Sequence, residues 1–135
     1  MDIMFSLQGI GDFLAYFAAA LLAEAVFICL YMQVTPHHEA TLIKSGNAAA
    51  AVSLGGAVIG FTLPLASAVI GSVSLLDMAI WASVALVVQV IVFLAASRLL
   101  RGLSARIESG DMAAGITLAA ASIAIGVLNA ASMTY

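Results

Sequence analysis

Charge is what this sequence has least of. Only 8% of its 135 residues are Asp, Glu, Lys or Arg, against 64% hydrophobic. A soluble domain carries about 25% charged residues, and a water-soluble fold this poor in charge could not cover its surface. The apolar residues run the full length, at a mean hydropathy of +1.20, so no soluble domain is hidden among them. Basic residues are scarcer still: four, none before Lys44. That excludes the cationic start of a cleaved secretory signal, and the first apolar stretch is expected to stay in the mature chain. With a net charge of −3, nucleic acid is not expected as a partner. The single cysteine, Cys29, cannot form an internal disulfide and reads as a small packing residue. Phosphate loops, dinucleotide fingerprints and nucleophile motifs in a suitable context are absent. No enzymatic activity and no cofactor are therefore expected. His37 and His38 are neighbours, which point about 100° apart on a helix. The i, i+4 spacing of a zinc helix is missing, and no metal site is expected.

What the chain does have is four apolar runs, at about residues 13–32, 47–71, 78–97 and 112–135. Each is about 20–25 residues long, enough to cross a hydrocarbon core of about 30 Å as a helix. Barrel strands would be about 10 residues long and alternate in polarity. The expected fold is an all-α membrane protein of four transmembrane helices in a single domain. Lys44 lies between the first two runs, and Arg98, Arg101 and Arg106 lie between the last two. The positive-inside rule then puts both basic loops in the cytoplasm and both termini outside. The arginines also suit anionic headgroups. Thr35-Pro36 has the form of an N-cap followed by proline at the first helical position, predicting a short interfacial helix from His37 or an extension of helix two.

The two halves resemble each other, at about 12–71 and 77–135. Ile43-Lys44-Ser45-Gly46-Asn47 matches Ile107-Glu108-Ser109-Gly110-Asp111, and Asp12, Tyr16 and Glu24 fall on Asp77, Trp81 and Gln89. Each half is a hairpin of the same direction, so the copies form a parallel repeat with a pseudo-twofold along the membrane normal. Gly56 with Gly60, and Ser122 with Gly126, have the small-xxx-small spacing that lets helix backbones approach in lipid. Helices two and four are expected to pack at the centre or at a subunit interface. Pro64 removes one helical hydrogen bond and should kink helix two. Tyr16, Phe17, Trp81 and Tyr135 towards the outside, and Phe27, Tyr31 and Phe93 towards the inside, fit aromatic belts.

Glu24 is the sharpest feature, an acid near the middle of its run. A charged residue there costs about 2.5–3.5 kcal/mol, so such carboxylates face a cavity, a partner or a translocation path. Gln89 is its amide counterpart under the repeat and can reach the pseudo-axis at the same depth. Asn129 is a further polar group near the outer end of helix four. Asp12 and Asp77 are expected at helix starts, and Asn47 and Asp111 as caps of helices two and four.

The segments Thr35-Pro36-His37-His38-Glu39, Leu42-Ile43-Lys44 and Gly46-Asn47-Ala48-Ala49-Ala50 resemble the YjfL-like family, domain of unknown function 350. So do Pro64-Leu65-Ala66-Ser67 and the ending Asn129 to Tyr135. Glu24 lies outside these segments. The resemblance implies four helices in two repeats, a bacterial inner-membrane location and partners linked to membrane stress; it implies no particular activity. Two functions then compete. One is an oligomeric pathway for protons, small ions or solutes, most simply through a homodimer, with Glu24, Gln89 and Asn129 as its polar groups. The other is a non-transport membrane scaffold or stress-associated accessory subunit.

Overall fold

Short polar side chains set where each of the four long helices begins. In the computed structural model, which describes residues 2–100 and 102–133, the Asp2 carboxylate accepts from Met4 N–H at 3.1 Å and opens α1, Ile3–Val34. Asn47 accepts from Ala50 N–H at 3.0 Å to open α3, Ala48–Gly71. Ser74 accepts from Asp77 N–H at 3.1 Å to open α4, Leu75–Leu99, while Asp77 accepts from Val73 N–H. Asp111 accepts from Ala113 and Ala114 to open α6, Met112–Ser132. Between the long helices lie two six-residue helices, α2 (Glu39–Lys44) and α5 (Leu103–Glu108). Each leads through a glycine in the left-handed region, Gly46 at φ 89° and Gly110 at φ 83°. The four long helices are each apolar enough to cross a membrane, and no strand occurs among the described residues.

Several local expectations change. Helix α1 starts ten residues before the apolar run, because Asp2 supplies the cap and neither Gly9 nor Gly11 interrupts it. Asp12 therefore sits inside a helix rather than at its start. Thr35 ends α1 instead of opening α2: its N–H donates to Tyr31 O at 3.0 Å. Proline at 36 biases residue 35 to extended backbone, and the chain stays out of helix until Glu39. Tyr135 and Arg101 lie outside the described residues.

The core is built around α3 and α6, whose pairing is the most extensive in the molecule. A side chain at Gly56 would meet the backbone of Ala119, one at Gly60 that of Ser122, and one at Gly126 that of Gly60. Small residues thus bring the two backbones together within one chain, where van der Waals contact is the main attraction available in lipid. Pro64 is buried inside α3, which remains helical to Gly71. Proline leaves the carbonyl four residues back, Gly60 O, without its helical donor. The Thr62 hydroxyl does not serve it, donating instead to Val58 O at 2.7 Å; Gly126 is the residue seated against that carbonyl.

Helices α1 and α4 flank this pair. Phe27, Tyr31 and Phe93 are buried rather than belted at an interface. Phe27 stacks on Phe61 at 4.5 Å, and Tyr31 meets Phe93 edge-on at 5.4 Å. Ring–ring contact across three helices holds the second half of α1 against the bundle. Among the described residues its first half makes no ring contact with another helix, and Phe13, Leu14 and Phe17 are exposed.

Candidate functional site

Glu24 lies on α1 where that helix crosses α3. Its Oε2 lies 2.9 Å from the Thr62 hydroxyl, whose single proton is shared with the closer Val58 O at 2.7 Å, while Oε1 is buried with no hydrogen-bond partner. The carboxylate borders a groove of about 320 Å³ lined by Ala20, Leu21, Thr62, Leu65 and Ala66. This groove opens to the outside of the bundle. A larger one, about 360 Å³ between α1, α3 and α4, has no titratable lining residue.

Gln89 is placed differently. It is buried against α6, where its Nε2 donates to Ser122 O at 3.2 Å beside Gly60. Gly60 and Thr62 are two residues apart on α3, so Glu24 and Gln89 reach similar depth. The same two steps rotate about 200° round the helix, which leaves the two side chains on opposite faces of α3. Each touches the second long helix of its own half, and they do not share a site. Asn129 is half-buried on α6 with its amide nitrogen unpartnered, near the bond from Ser67 Oγ to Ala130 O. It meets neither of the others in any hydrogen bond.

A second polar cluster sits where the α1–α2 connection meets α5. From Thr35 to Ala40 burial alternates: Thr35, His37 and Glu39 are buried, while Pro36, His38 and Ala40 are exposed. The Thr35 hydroxyl donates to Glu39 Oε2 at 3.0 Å. His37 Nδ1 is 3.1 Å from Ser104 Oγ on α5. His37 Nε2 lies 3.1 Å from Glu39 Oε1, an ion-pair distance but out of line for a hydrogen bond. Helical spacing hides this cluster, since residues 35, 37 and 39 share a side only on extended backbone. The signal was the proline at 36, which biases the preceding residue to that conformation.

Next to this cluster, Asn47 Nδ2 donates to the carbonyls of Ile107 and Glu108 at 2.8 and 3.2 Å, tying the start of α3 to the end of α5. Arg106 Nε donates to Asp111 at 2.8 Å. That hydrogen bond, with those from Ala114 and Ala113 N–H and the arginine charge, outweighs slight desolvation and holds the Asp111 carboxyl below the usual carboxylate range.

Comparison with known proteins adds a family context. The family model described as Domain of Unknown Function (DUF350) matches residues 4–133. The chain is 37% identical to the UPF0719 inner membrane protein YjfL of Escherichia coli K12, over 132 residues, 98% of this chain and 100% of that one. The protein of the same name from Escherichia coli O157:H7 is similar to the same extent. No solved structure matches.

Proposed function

The chain belongs to the DUF350 family, and on that premise we propose that it forms a homo-oligomeric inner-membrane pathway for protons or small cations, with Glu24 as the residue that takes up and releases the ion. The observation that carries this reading is the Glu24 carboxylate, inside the membrane-competent helix α1, 2.9 Å from the Thr62 hydroxyl and bordering a groove open at the side of the bundle. Intramembrane acids are costly and mark ion paths, proton relays or polar partners. The bundle interior is a poor route, because Ser53, Gln89 and Ser122 are buried in a close-packed seam. A path at Glu24 therefore runs between copies of the chain rather than through one, with the termini on the outer side as the basic loops imply. No catalytic step is part of this reading, and partners linked to membrane stress would be regulators of the pathway.

In proteoliposomes the wild-type protein should dissipate an imposed proton or alkali-cation gradient. Glu24→Gln should reduce flux to the level of empty vesicles while leaving assembly intact, and Glu24→Asp should retain part of it. Wild-type flux through Glu24→Gln would remove Glu24 from the pathway. The same closed seam favours a second reading, a scaffold or accessory subunit. On that reading wild-type vesicles show no flux at all, and a partner co-purifies.

A further inference from the structure

The Thr62 hydroxyl has one proton to donate and two short contacts. Its Oγ1 lies 2.7 Å from Val58 O, one turn back on α3, and 2.9 Å from Glu24 Oε2 on α1. A backbone carbonyl has no proton to offer, so the shorter contact uses the hydroxyl's. Oε2 then faces an oxygen lone pair, an arrangement that repels an ionised carboxylate. A proton on Oε2 removes the conflict: Glu24 Oε2–H donates to Thr62 Oγ1, and Thr62 donates on to Val58 O. The same assignment suits Oε1, which is buried without a donor. The carbonyl oxygen of a neutral acid tolerates that better than a charged oxygen, because an unpaired charge is far the costlier group to bury.

The groove beside Glu24 is also poor in oxygens for a metal cation. Apart from Glu24 and Thr62 its lining is apolar. The nearest other acid on α1, Asp12, lines the neighbouring groove, about 18 Å away along the helix. Helices α1 and α3 run unbroken past Glu24, so their carbonyls are engaged in helical bonds. The carbonyl that Pro64 releases, Gly60 O, faces Gly126 on the α6 side of α3. Alkali ions give up their water only to a set of replacing oxygens, and hard divalent ions take about six or more. With Oε1 buried, Glu24 and Thr62 offer Oε2 and Oγ1. A proton needs a single oxygen.

We propose that Glu24 and Thr62 form a proton site: Glu24 rests neutral, and the ion carried along the proposed pathway is the proton rather than a metal cation. The identity of the carried ion rests on that pathway; the protonated acid does not. When Glu24 gives up its proton to water entering the groove, the Oε2–H bond breaks and its electron pair stays on Oε2. Rotation about the Thr62 Cβ–Oγ1 bond then turns the hydroxyl proton from Val58 O to Oε2. Both states keep a hydrogen bond between α1 and α3, and Thr62 is a positioning residue for the transfer.

The test is infrared difference spectroscopy of the full chain in proteoliposomes at neutral pH, with ion flux measured on the same vesicles. Wild type should show the C=O stretch of a protonated carboxylic acid, and Glu24→Gln should lose it. Thr62→Val removes the acceptor but keeps the shape, and should shift the band to higher frequency; Thr62→Ser should restore its position. With charge balanced by a lipophilic ion, a proton gradient should collapse equally fast in choline, sodium and potassium salts. Thr62→Val should slow that collapse several-fold. Absence of the band from wild type, or a band unmoved by Thr62→Val, overturns the protonated acid. Sodium or potassium flux that requires Glu24 overturns the proton as the carried ion and keeps the pathway. The band without flux of any ion keeps the proton site and removes the pathway.

Discussion

At Gly126 a single hydrogen stands where a side chain would run into the backbone of Gly60. Backbone cannot step aside as a flexible side chain can, so Gly126→Leu must push α6 away from α3. Overpacking of this kind costs about 1–3 kcal/mol, occasionally more. The variant should lose thermal stability in detergent and weaken the Gln89 to Ser122 bond beside it, whereas Gly55→Leu, with open space around its Cα, should not. Equal melting of the two variants would show that the seam is looser than it looks. Sequence spacing marks Gly56, Gly60, Ser122 and Gly126 as one class of small residue, but spacing does not say which backbone each will meet. The polar residues show the same limit more sharply. The repeat read from the sequence aligns Glu24 with Gln89, and the two side chains do reach similar depth along α3. Which side of α3 each one takes depends on three-dimensional packing that no one-dimensional alignment contains.

Among the elements, the long helices were legible from apolar length alone, and three of the four end within a few residues of the apolar run. The exception is α1, whose first ten residues depend on a cap at Asp2 rather than on hydropathy. The short helices were only half legible. Thr35-Pro36 carries the form of a helix start, but the buried Thr35 side chain is occupied with Glu39, and the cap moves to His38. Helix α5 is joined to α6 through Arg106 and Asp111, and here pH gives a test. The folded Asp111 carboxyl titrates below its unfolded value, with the Arg106 hydrogen bond as the main cause. Such a group favours the fold above the unfolded carboxylate pKa and loses that contribution as pH falls through the lower, folded value. Stability should therefore decline on acidification across this window. Asp111→Asn, which can still cap α6, should flatten that decline without lowering stability at the acid end. The pair is exposed, so the effect should be small and weaken with salt. A pH profile unchanged by Asp111→Asn would assign the acid response to other carboxylates.

For the whole molecule, the uneven packing of α1 is where the proposed assembly can be tested. A helix of 32 residues is about 48 Å long, more than the hydrocarbon core requires. Its second half is fastened through the buried Phe27 and Tyr31, while in the first half Tyr16 is only partly buried against the core. On the first half, Phe13 and Phe17 stack at 5.6 Å and, with Ala20 and Val69, line a groove that continues into the one bordered by Glu24. Phe13, Phe17, Ala20 and Glu24 fall at helical spacing on one face. That face joins the proposed ion-binding acid to exposed apolar surface on the least buried of the four long helices, and a second copy of α1 would cover both. In a Cys29→Ser background, Phe17→Cys should therefore form a disulfide between copies in membranes under mild oxidation. Ala15→Cys, about 200° round the helix from position 17, should not. Cross-linking at position 17 that persists in Glu24→Gln would separate assembly from ion transfer, as a pathway between subunits requires. Equal cross-linking at both positions would mean random collision, and none at position 17 would move the seam between copies away from α1 and take Glu24 out of it.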